Sequence, residues 1–301
     1  MQRLFILVVT ACSFFVSSFS SPSSFSQRRI LAWTSPKSSK ASAEQLNNAS
    51  WKGVYTGFMG FCGGAFNQTD GTIIVNETRY HGCDEIRLAA AALEGVEFHM
   101  VIGTVPNAAL KNPNTTIDSA VQLALQHGWS GYNIDDESHT APFGTIEEAH
   151  VWVSFINAFA DGLHEHGLQL TADVQSVTLP WKYEPSPELT KLLTDSTIDR
   201  WINMDTYYFS TGRFLDALDY YSGVAMPSAK CGVGMMNRND ITYDGYQARF
   251  HAIEKSGVLE LDMFAMPISD SFLPYLLKFK TGCSGCTNEG VLSCWSDLTC
   301  H

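Results

Sequence analysis

A short segment of the chain, Gly-Tyr-Asn-Ile-Asp-Asp-Glu at residues 131–137, ends in three consecutive acidic side chains. Side chains alternate between the two faces of a β-strand, so Asn133, Asp135 and Glu137 would share one face and Asp136 would point the other way. Carboxyl groups two residues apart interact electrostatically, so that one stays ionised while burial and its neighbour's charge hold a proton on the other. A general acid beside an anionic stabiliser is the pair that glycosidic bond cleavage requires. The alternative is a solvated acidic loop that caps the next helix.

The elements that would position this segment are short apolar runs of β type alternating with helical stretches, which is typical of βαβ units. The predicted helices are residues 84–93, 117–127, 145–166 and 243–255, and the predicted strands are residues 53–60, 72–75, 96–103, 131–135, 168–173, 201–207, 231–235 and 259–264. Eight strands predict a single-domain (β/α)₈ TIM barrel, in which catalytic groups lie at the C-terminal strand ends. An open doubly wound sheet is the alternative, but Phe61-Cys-Gly-Gly64 lacks the spacing of its usual phosphate loop.

The N-terminal segment has the three-part pattern of a secretory signal peptide: a basic start, an apolar run over residues 4–16, and small residues over 17–21. The apolar run is shorter than the roughly 20 residues of a membrane span, and an uncleaved anchor is the alternative. We predict a signal peptide over residues 1–20, a flexible lead-in over 21–50, the barrel over 51–281 and a Cys-rich tail over 282–301.

Four glycosylation sequons, which begin at Asn48, Asn67, Asn76 and Asn114, agree with export. The sequence has eight cysteines, and removal of Cys12 with the signal leaves an odd number, for which we expect disulfides and one remaining thiol. A zinc site at Cys283-Ser-Gly-Cys286 is the alternative for the tail. We therefore expect a secreted protein, extracellular or in a lysosome-like or vacuole-like compartment, and a monomer.

The charge of the chain limits its partners. A net charge of −12 and a pI near 5.1 argue against binding to nucleic acid or to anionic membranes, since either requires clustered Lys and Arg. A hydrophobic fraction of 45% is enough for one large core. We expect no nucleic-acid partner and no membrane association beyond secretion.

Residues 130–137 resemble the D-G-x-D-x-D-x-E signature of family 18 glycoside hydrolases, the chitinase-like barrels. The segment is most similar to the di-N-acetylchitobiase-type branch, which reads G-x-N-I-D-x-E, and Gly131, Asn133, Asp135 and Glu137 match that pattern. Weaker similarity follows in the family's order at residues 170–172, 201–207, 230–234 and 257–258. The resemblance spans roughly residues 51 to 280, and only the fourth-strand motif is specific.

The resemblance implies a substrate-assisted retaining mechanism on a β-linked N-acetylglucosamine-containing glycan, with no metal and no cofactor. Glu137 would protonate the glycosidic oxygen, and the substrate's own N-acetyl oxygen would attack the anomeric carbon. Asp135 would orient that acetamide with support from Asn133, and Tyr207 would hydrogen-bond it. Trp181, after the fifth strand, could stack on a sugar ring or simply pack in its loop.

The chain departs from the family pattern at four positions. Ser130 replaces the first Asp of the motif, and Tyr208 stands where the sixth strand usually has Asp. Leu261 or a neighbour occupies the place of the Trp that normally floors the sugar subsite. Asp173 replaces an apolar residue or proline, and we include it among the candidate substrate-binding residues. These differences predict a changed or lost substrate.

Two rival functions remain open. Asp135, Glu137, Asp173 and Asp205 all fall near predicted strand ends and could gather a divalent cation, as in a metal-dependent phosphodiesterase or lyase. A non-catalytic glycan-binding protein could keep the barrel without turnover. The presence of Glu137 argues against that second rival, because the binding proteins of this family typically lose the acid.

Overall fold

The computed structural model describes residues 28–136, 145–174, 187–207, 210–223, 230–237 and 243–282. In chain order the strands are β1 (Arg29–Thr34), β2 (Gly57–Gly60), β3 (Gly64–Phe66), β4 (Ile73–Val75), β5 (Glu97–Ile102), β6 (Gly131–Ile134), β7 (Gln169–Val174), β8 (Arg200–Asn203), β9 (Cys231–Met236) and β10 (Glu260–Phe264). The helices are α1 (Ser39–Asn47), α2 (Glu77–His81), α3 (Asp84–Ala91), α4 (Asn107–Lys111), α5 (Pro113–His127), α6 (Ile146–His164), α7 (Pro187–Thr194), α8 (Thr211–Gly223), α9 (Tyr243–Ser256) and α10 (Leu273–Thr281).

Eight of these strands close into a parallel barrel. The order around it is β1, β2, β5, β6, β7, β8, β9 and β10, and β10 pairs again with β1. The remaining two strands, β3 and β4, form an antiparallel pair outside the barrel. Helices follow the strands, so the predicted (β/α)₈ barrel in a single domain is confirmed.

The beginning of the barrel differs from the prediction. The flexible lead-in predicted over residues 21–50 is wrong from Arg29 onward, because β1 and α1 lie within it. The last five residues of β1 are all buried, as expected of a parallel strand covered on both faces, and the Ser-rich and Lys-rich sequence around this short run concealed it. The strand predicted over residues 72–75 is β4 of the outer pair. The prediction thus missed β1 and counted β4 as a barrel strand. These two errors cancel in the count, so the acidic motif still follows the fourth barrel strand.

The barrel has an outer and an inner apolar layer. Outward-facing strand residues such as Ile30, Tyr132 and Trp201 pack with the helices in the large core. A small separate cluster fills the lumen, the space inside the strands, and consists of Leu31, Trp33, Met59, Val101 and Ile202. Alternation along each strand therefore decides which side chains reach the lumen.

The N-terminal end of the lumen is closed by an ion-pair and hydrogen-bond network. Glu97 accepts from Arg29 and Gln169 and contacts His99 Nε2 at 2.9 Å. Glu260 accepts from Arg29 Nε at 2.7 Å and pairs with Arg200. We call this set the basal network: Arg29, Glu97, His99, Gln169, Arg200 and Glu260.

Electrostatics hold Glu97 of the basal network in its ionised form. Burial opposes ionisation of Glu97, but hydrogen bonds from His99 and Arg29 and the charges of those groups outweigh it and hold the pKa of Glu97 well below its usual range. Because Arg29 lies on β1 while its carboxylate partners lie on β5 and β10, the network also links the first strand to strands on both sides of it in the barrel.

A disulfide joins Cys62, just after β2, to Cys83 at the start of α3. It confirms the expectation of disulfide bonding. The thiol of Cys231 is buried, which raises its pKa to about 12. The signal-peptide prediction and the predicted Cys-rich tail, apart from Gly282, lie outside the described residues. Within the ranges given above, no helix combines the length and apolar character that crossing a membrane requires.

Candidate active site

The acidic motif continues directly from β6 into the C-terminal rim of the barrel. All four residues of β6 are buried, and the backbone N–H of Asp135 still donates to Ile102 O at 2.8 Å. Asn133 faces the lumen and donates from Nδ2 to Thr171 Oγ1 at 3.0 Å. Asp136 turns away, and its carboxylate accepts from the backbone N–H of Val105 at 3.1 Å. The predicted alternation between Asn133 and Asp136 is therefore confirmed.

Tyr207 lies at the centre of the acidic groups at this rim. It belongs to a 3₁₀ turn, Asp205–Tyr207, that follows β8, and its hydroxyl oxygen is buried. Burial raises the pKa of Tyr207 well above its usual range, and the charges of Asp262, Asp173 and Asp135 raise it further, while the Trp33 indole partly opposes them. The phenol is thus held neutral, with a proton to donate, among three carboxyl groups.

The ring of Tyr207 occupies space that strand β9 leaves vacant. A Cβ atom added at Gly234 would lie only 2.5 Å from Cζ of the tyrosine ring. No flexible side-chain end is available to yield, because the contact is with a packed aromatic ring. Glycine at this position is therefore required for Tyr207 to lie over the lumen.

Aromatic side chains surround Tyr207 at the rim. Trp33 at the end of β1 stacks on Phe61, with ring centroids 4.9 Å apart. Phe264 at the end of β10 lies 6.2 Å from Trp33 and 5.7 Å from Tyr207 by the same measure. Aromatic rings beside convergent polar groups form the type of surface that binds the apolar face of a sugar.

The structure locates some of the predicted site residues and not others. Asn133, Asp135, Asp173 and Tyr207 come together at the C-terminal rim. The remaining predicted positions, Glu137, Trp181 and Tyr208, lie outside the described residues, as does the side chain of Asp205.

Two of the departures have a structural explanation. Ser130 accepts a hydrogen bond from the backbone N–H of Phe98 through Oγ at 3.1 Å, so it helps to fix the base of β6. Leu261 is fully buried in the core between strands and helices. The prediction that placed Leu261 near the sugar floor is therefore wrong for that residue, and Phe264, a neighbour on the lumen face, occupies the rim.

Sequence reasoning missed four residues of this region: Trp33, Phe61, Phe264 and Asp262. Trp33 was missed because its whole strand was assigned to the lead-in. Phe264 could have been found from alternation, since it lies two residues after Asp262 and four after Glu260 on one face of β10. Asp262 gives a weak sequence signal, because an isolated acid in an apolar strand has no spacing that indicates its role.

The metal alternative concerns the same region. Among the side chains within the described ranges, no group of three His, Cys, Asp or Glu is arranged to hold a metal ion. The side chains of Glu137 and Asp205, two of the four acids proposed as ligands, lie outside the described ranges.

Comparison with solved structures identifies the architecture. A chitinase from Chromobacterium violaceum superposes with a TM-score of 0.62 at 13% identity, covering 84% of this chain and 98% of that one. The fold is that of the chitinases. A class V chitinase mutant from Nicotiana tobaccum in complex with NAG4 gives 0.64 at 11% identity, covering 85% and 99%. The chitinase-like agglutinin from Robinia pseudoacacia gives 0.63 at 11% identity, covering 83% and 99%.

Comparison by sequence gives no family. No protein-family model matches the chain, and no curated protein matches it. The shared fold includes chitinases and an agglutinin, so the function has to be argued from the site itself.

Proposed function

We propose that the protein is a glycoside hydrolase that cleaves β-linked N-acetylglucosamine-containing glycans with retention of configuration. The observation that carries the proposal is the neutral Tyr207 hydroxyl, which lies near Asp135 at the C-terminal rim of the barrel and beside the rings of Trp33 and Phe264. Neighbours of the same fold include chitinases described with NAG4 or (GlcNAc)3. Di-N-acetylchitobiase-like specificity is the finer form of this proposal.

The proposed mechanism divides the work among three side chains. Glu137 protonates the glycosidic oxygen, and the 2-acetamido oxygen of the sugar attacks the anomeric carbon from the opposite side. Asp135 orients the acetamide N–H and stabilises the positive charge of the oxazolinium ion. The Tyr207 hydroxyl donates to the acetamide oxygen before attack, and water then opens the ring with Glu137 as base.

The lumen supports this division. Asn133, fixed by its hydrogen bond to Thr171, lies one inward position below Asp135 on the same face. Trp33, Phe61 and Phe264 offer apolar surface for a sugar ring. Trp181 and Asp173 complete the proposed binding set. Secretion and N-glycosylation are part of the same proposal, since a glycan substrate of this kind is met outside the cytosol.

The test is hydrolysis of a chromogenic N-acetylglucosamine oligomer by the wild type and two variants. Glu137→Gln should lose activity by about 10²–10⁴-fold, because a general acid contributes about that much. Asp136→Asn is the matched control, since its side chain points away and Asn can still accept from Val105; it should remain within about threefold of the wild type. Equal activity of Glu137→Gln and wild type would refute the assignment.

A non-catalytic glycan-binding function is the second candidate, and the shared fold with an agglutinin favours it. Binding of the oligomer that is unchanged in Glu137→Gln, without turnover by the wild type, would support that candidate. Turnover that disappears with EDTA and returns with a divalent cation would instead support the metal-dependent alternative.

A further inference from the structure

Asp262 is a carboxyl group inside the barrel to which the proposed mechanism gives no role. It lies in the middle of β10, on the lumen face with Glu260 and Phe264, and it is 0% exposed. Within the described part of the chain, neither of its carboxyl oxygens has a hydrogen-bond partner. An unpartnered carboxylate in such a place is costly, so its protonation state has consequences for the groups around it.

Strand β9 places this carboxyl beside Tyr207. A Cβ atom at Gly232 would lie 2.6 Å from Oδ2 of Asp262, just as one at Gly234 would meet the ring of Tyr207. The strand register also sets Asp262 directly opposite Gly234. Two successive inward positions of β9 therefore lack side chains, and Asp262 and Tyr207 occupy the space above them. The carboxyl forms part of the floor beneath the phenol.

The charges that face Asp262 are already paired with one another. From β10 it is faced by Glu260, from β1 by Arg29, from β8 by Arg200, and from beyond β8 by Tyr207, while β9 presents only glycines. Among the residues that the structure describes, the other titratable groups of the lumen are Asp173 on β7, Asp135 after β6, and the basal pair Glu97 and His99 on β5.

An ionised Asp262 would be a third carboxylate beside two guanidinium groups that Glu97 and Glu260 already neutralise. Burial and the charge of Glu260 raise the pKa of Asp262 well above its usual range, and Arg200 and Arg29 only partly oppose this. Both effects favour the protonated carboxylic acid over the carboxylate. As an anion it would be a strong hydrogen-bond acceptor next to the Tyr207 phenol.

We propose that Asp262 is a positioning residue that holds a proton in the lumen and so leaves the Tyr207 hydroxyl available to the substrate. Once Asp262 loses that proton, its anion competes with the substrate acetamide for the phenolic O–H, and binding weakens. The proton-holding part stands on the lumen geometry alone. The part that concerns the substrate rests on the proposed function.

The first experiment tests the protonation of Asp262 without relying on hydrolytic activity. A group whose folded pKa is raised makes wild-type stability fall as pH rises from about 4, its unfolded pKa, towards the folded value. Asp262→Asn cannot ionise, so its Tm relative to wild type should rise by about 3 °C per pH unit between pH 5 and 7. Asp161→Asn, at an exposed site on α6, is the control and should show no such trend. A Tm difference for Asp262→Asn that is constant with pH would overturn the proposal.

The second experiment separates positioning from a purely structural role. Asp262→Asn should keep kcat/KM near pH 6 within about threefold of the wild type, should lack the rise in KM that ionisation of Asp262 causes in the wild type, and should show a smaller change in kcat. Superimposable pH profiles for wild type and Asp262→Asn would overturn the substrate part. Absence of hydrolysis by the wild type would count against the proposed function instead. The Tm measurement would still show whether Asp262 holds a proton in the folded protein.

Discussion

Replacement of Gly131 by alanine tests how closely the barrel wall controls the site. A Cβ atom at this position would lie 2.1 Å from the carbonyl oxygen of Gln169, and 2.8 Å from the carbonyl carbon and the nitrogen of the same residue. These are backbone atoms of the adjacent strand β7, which pairs with β6 in register. No side-chain rotation can relieve the contact, so the two strands would have to separate by about 1 Å.

Separation of β6 from β7 should be costly. Overpacking in a well-packed core costs about 1–3 kcal/mol, and a clash with backbone belongs at the upper end of that range. At about 2–4 °C per kcal/mol for a domain of this size, a loss of about 3 kcal/mol lowers Tm by about 6–12 °C. The same displacement would disturb the hydrogen bond from Asn133 to Thr171 and move Asp135, so hydrolysis should fall as well.

Thermal unfolding followed by circular dichroism gives the result directly. Gly103→Ala is the matched control: it lies near the same rim, and an added Cβ there meets nothing closer than the carbonyl oxygen of Asp135 at 3.9 Å. It should unfold within about 1–2 °C of the wild type. If Gly131→Ala did the same, the reasoning that fixes the position of β6 by its contact with β7 would be refuted.

Two further predictions concern what holds the barrel together. Glu260→Gln should lower the free energy of unfolding in urea by about 3–5 kcal/mol, because it leaves two largely buried guanidinium groups of the basal network without their shared carboxylate. Glu254→Gln is the control, since it breaks a partly exposed pair with a lysine, and it should cost under about 1 kcal/mol. Similar losses for both variants would contradict this explanation. The Cys62–Cys83 disulfide closes a loop with a sequence separation of 21, so a double Ala variant should lose about 3 kcal/mol, and an unchanged Tm would count against that estimate.

The barrel could be predicted from the sequence because most of its strands are continuous apolar runs between helices with regular spacing. The fourth strand is an example: four buried residues precede the acids, and alternation alone placed Asn133 and Asp136 on opposite faces. The first strand could not be found in this way. Its few apolar residues lie in a Ser-rich and Lys-rich region, and their burial depends on β10 and β2, which are distant in sequence.

The candidate site was predictable only in part, for a similar reason. Asp135 and Tyr207 belong to local patterns, whereas Trp33, Phe264 and Asp262 become neighbours only when the barrel closes. The distinction between Leu261 and Phe264 needed the register of β10, since a shift of one residue exchanges the lumen and the core. Interactions between distant segments leave no spacing in the sequence from which they can be read.

The pairing of β1 with β10 has a consequence for how the chain is made. The Nε atom of Arg29 donates to a carboxylate that lies 231 residues further along the chain, and the strand carrying Arg29 is the first of the eight described barrel strands in chain order. During translation the edge of β1 that pairs with β10 stays unpaired until nearly the whole barrel has emerged. Contacts of such long range slow folding, and open edges favour association between chains. The nascent protein is therefore most exposed to misassembly at the strand that contributes Trp33 to the site.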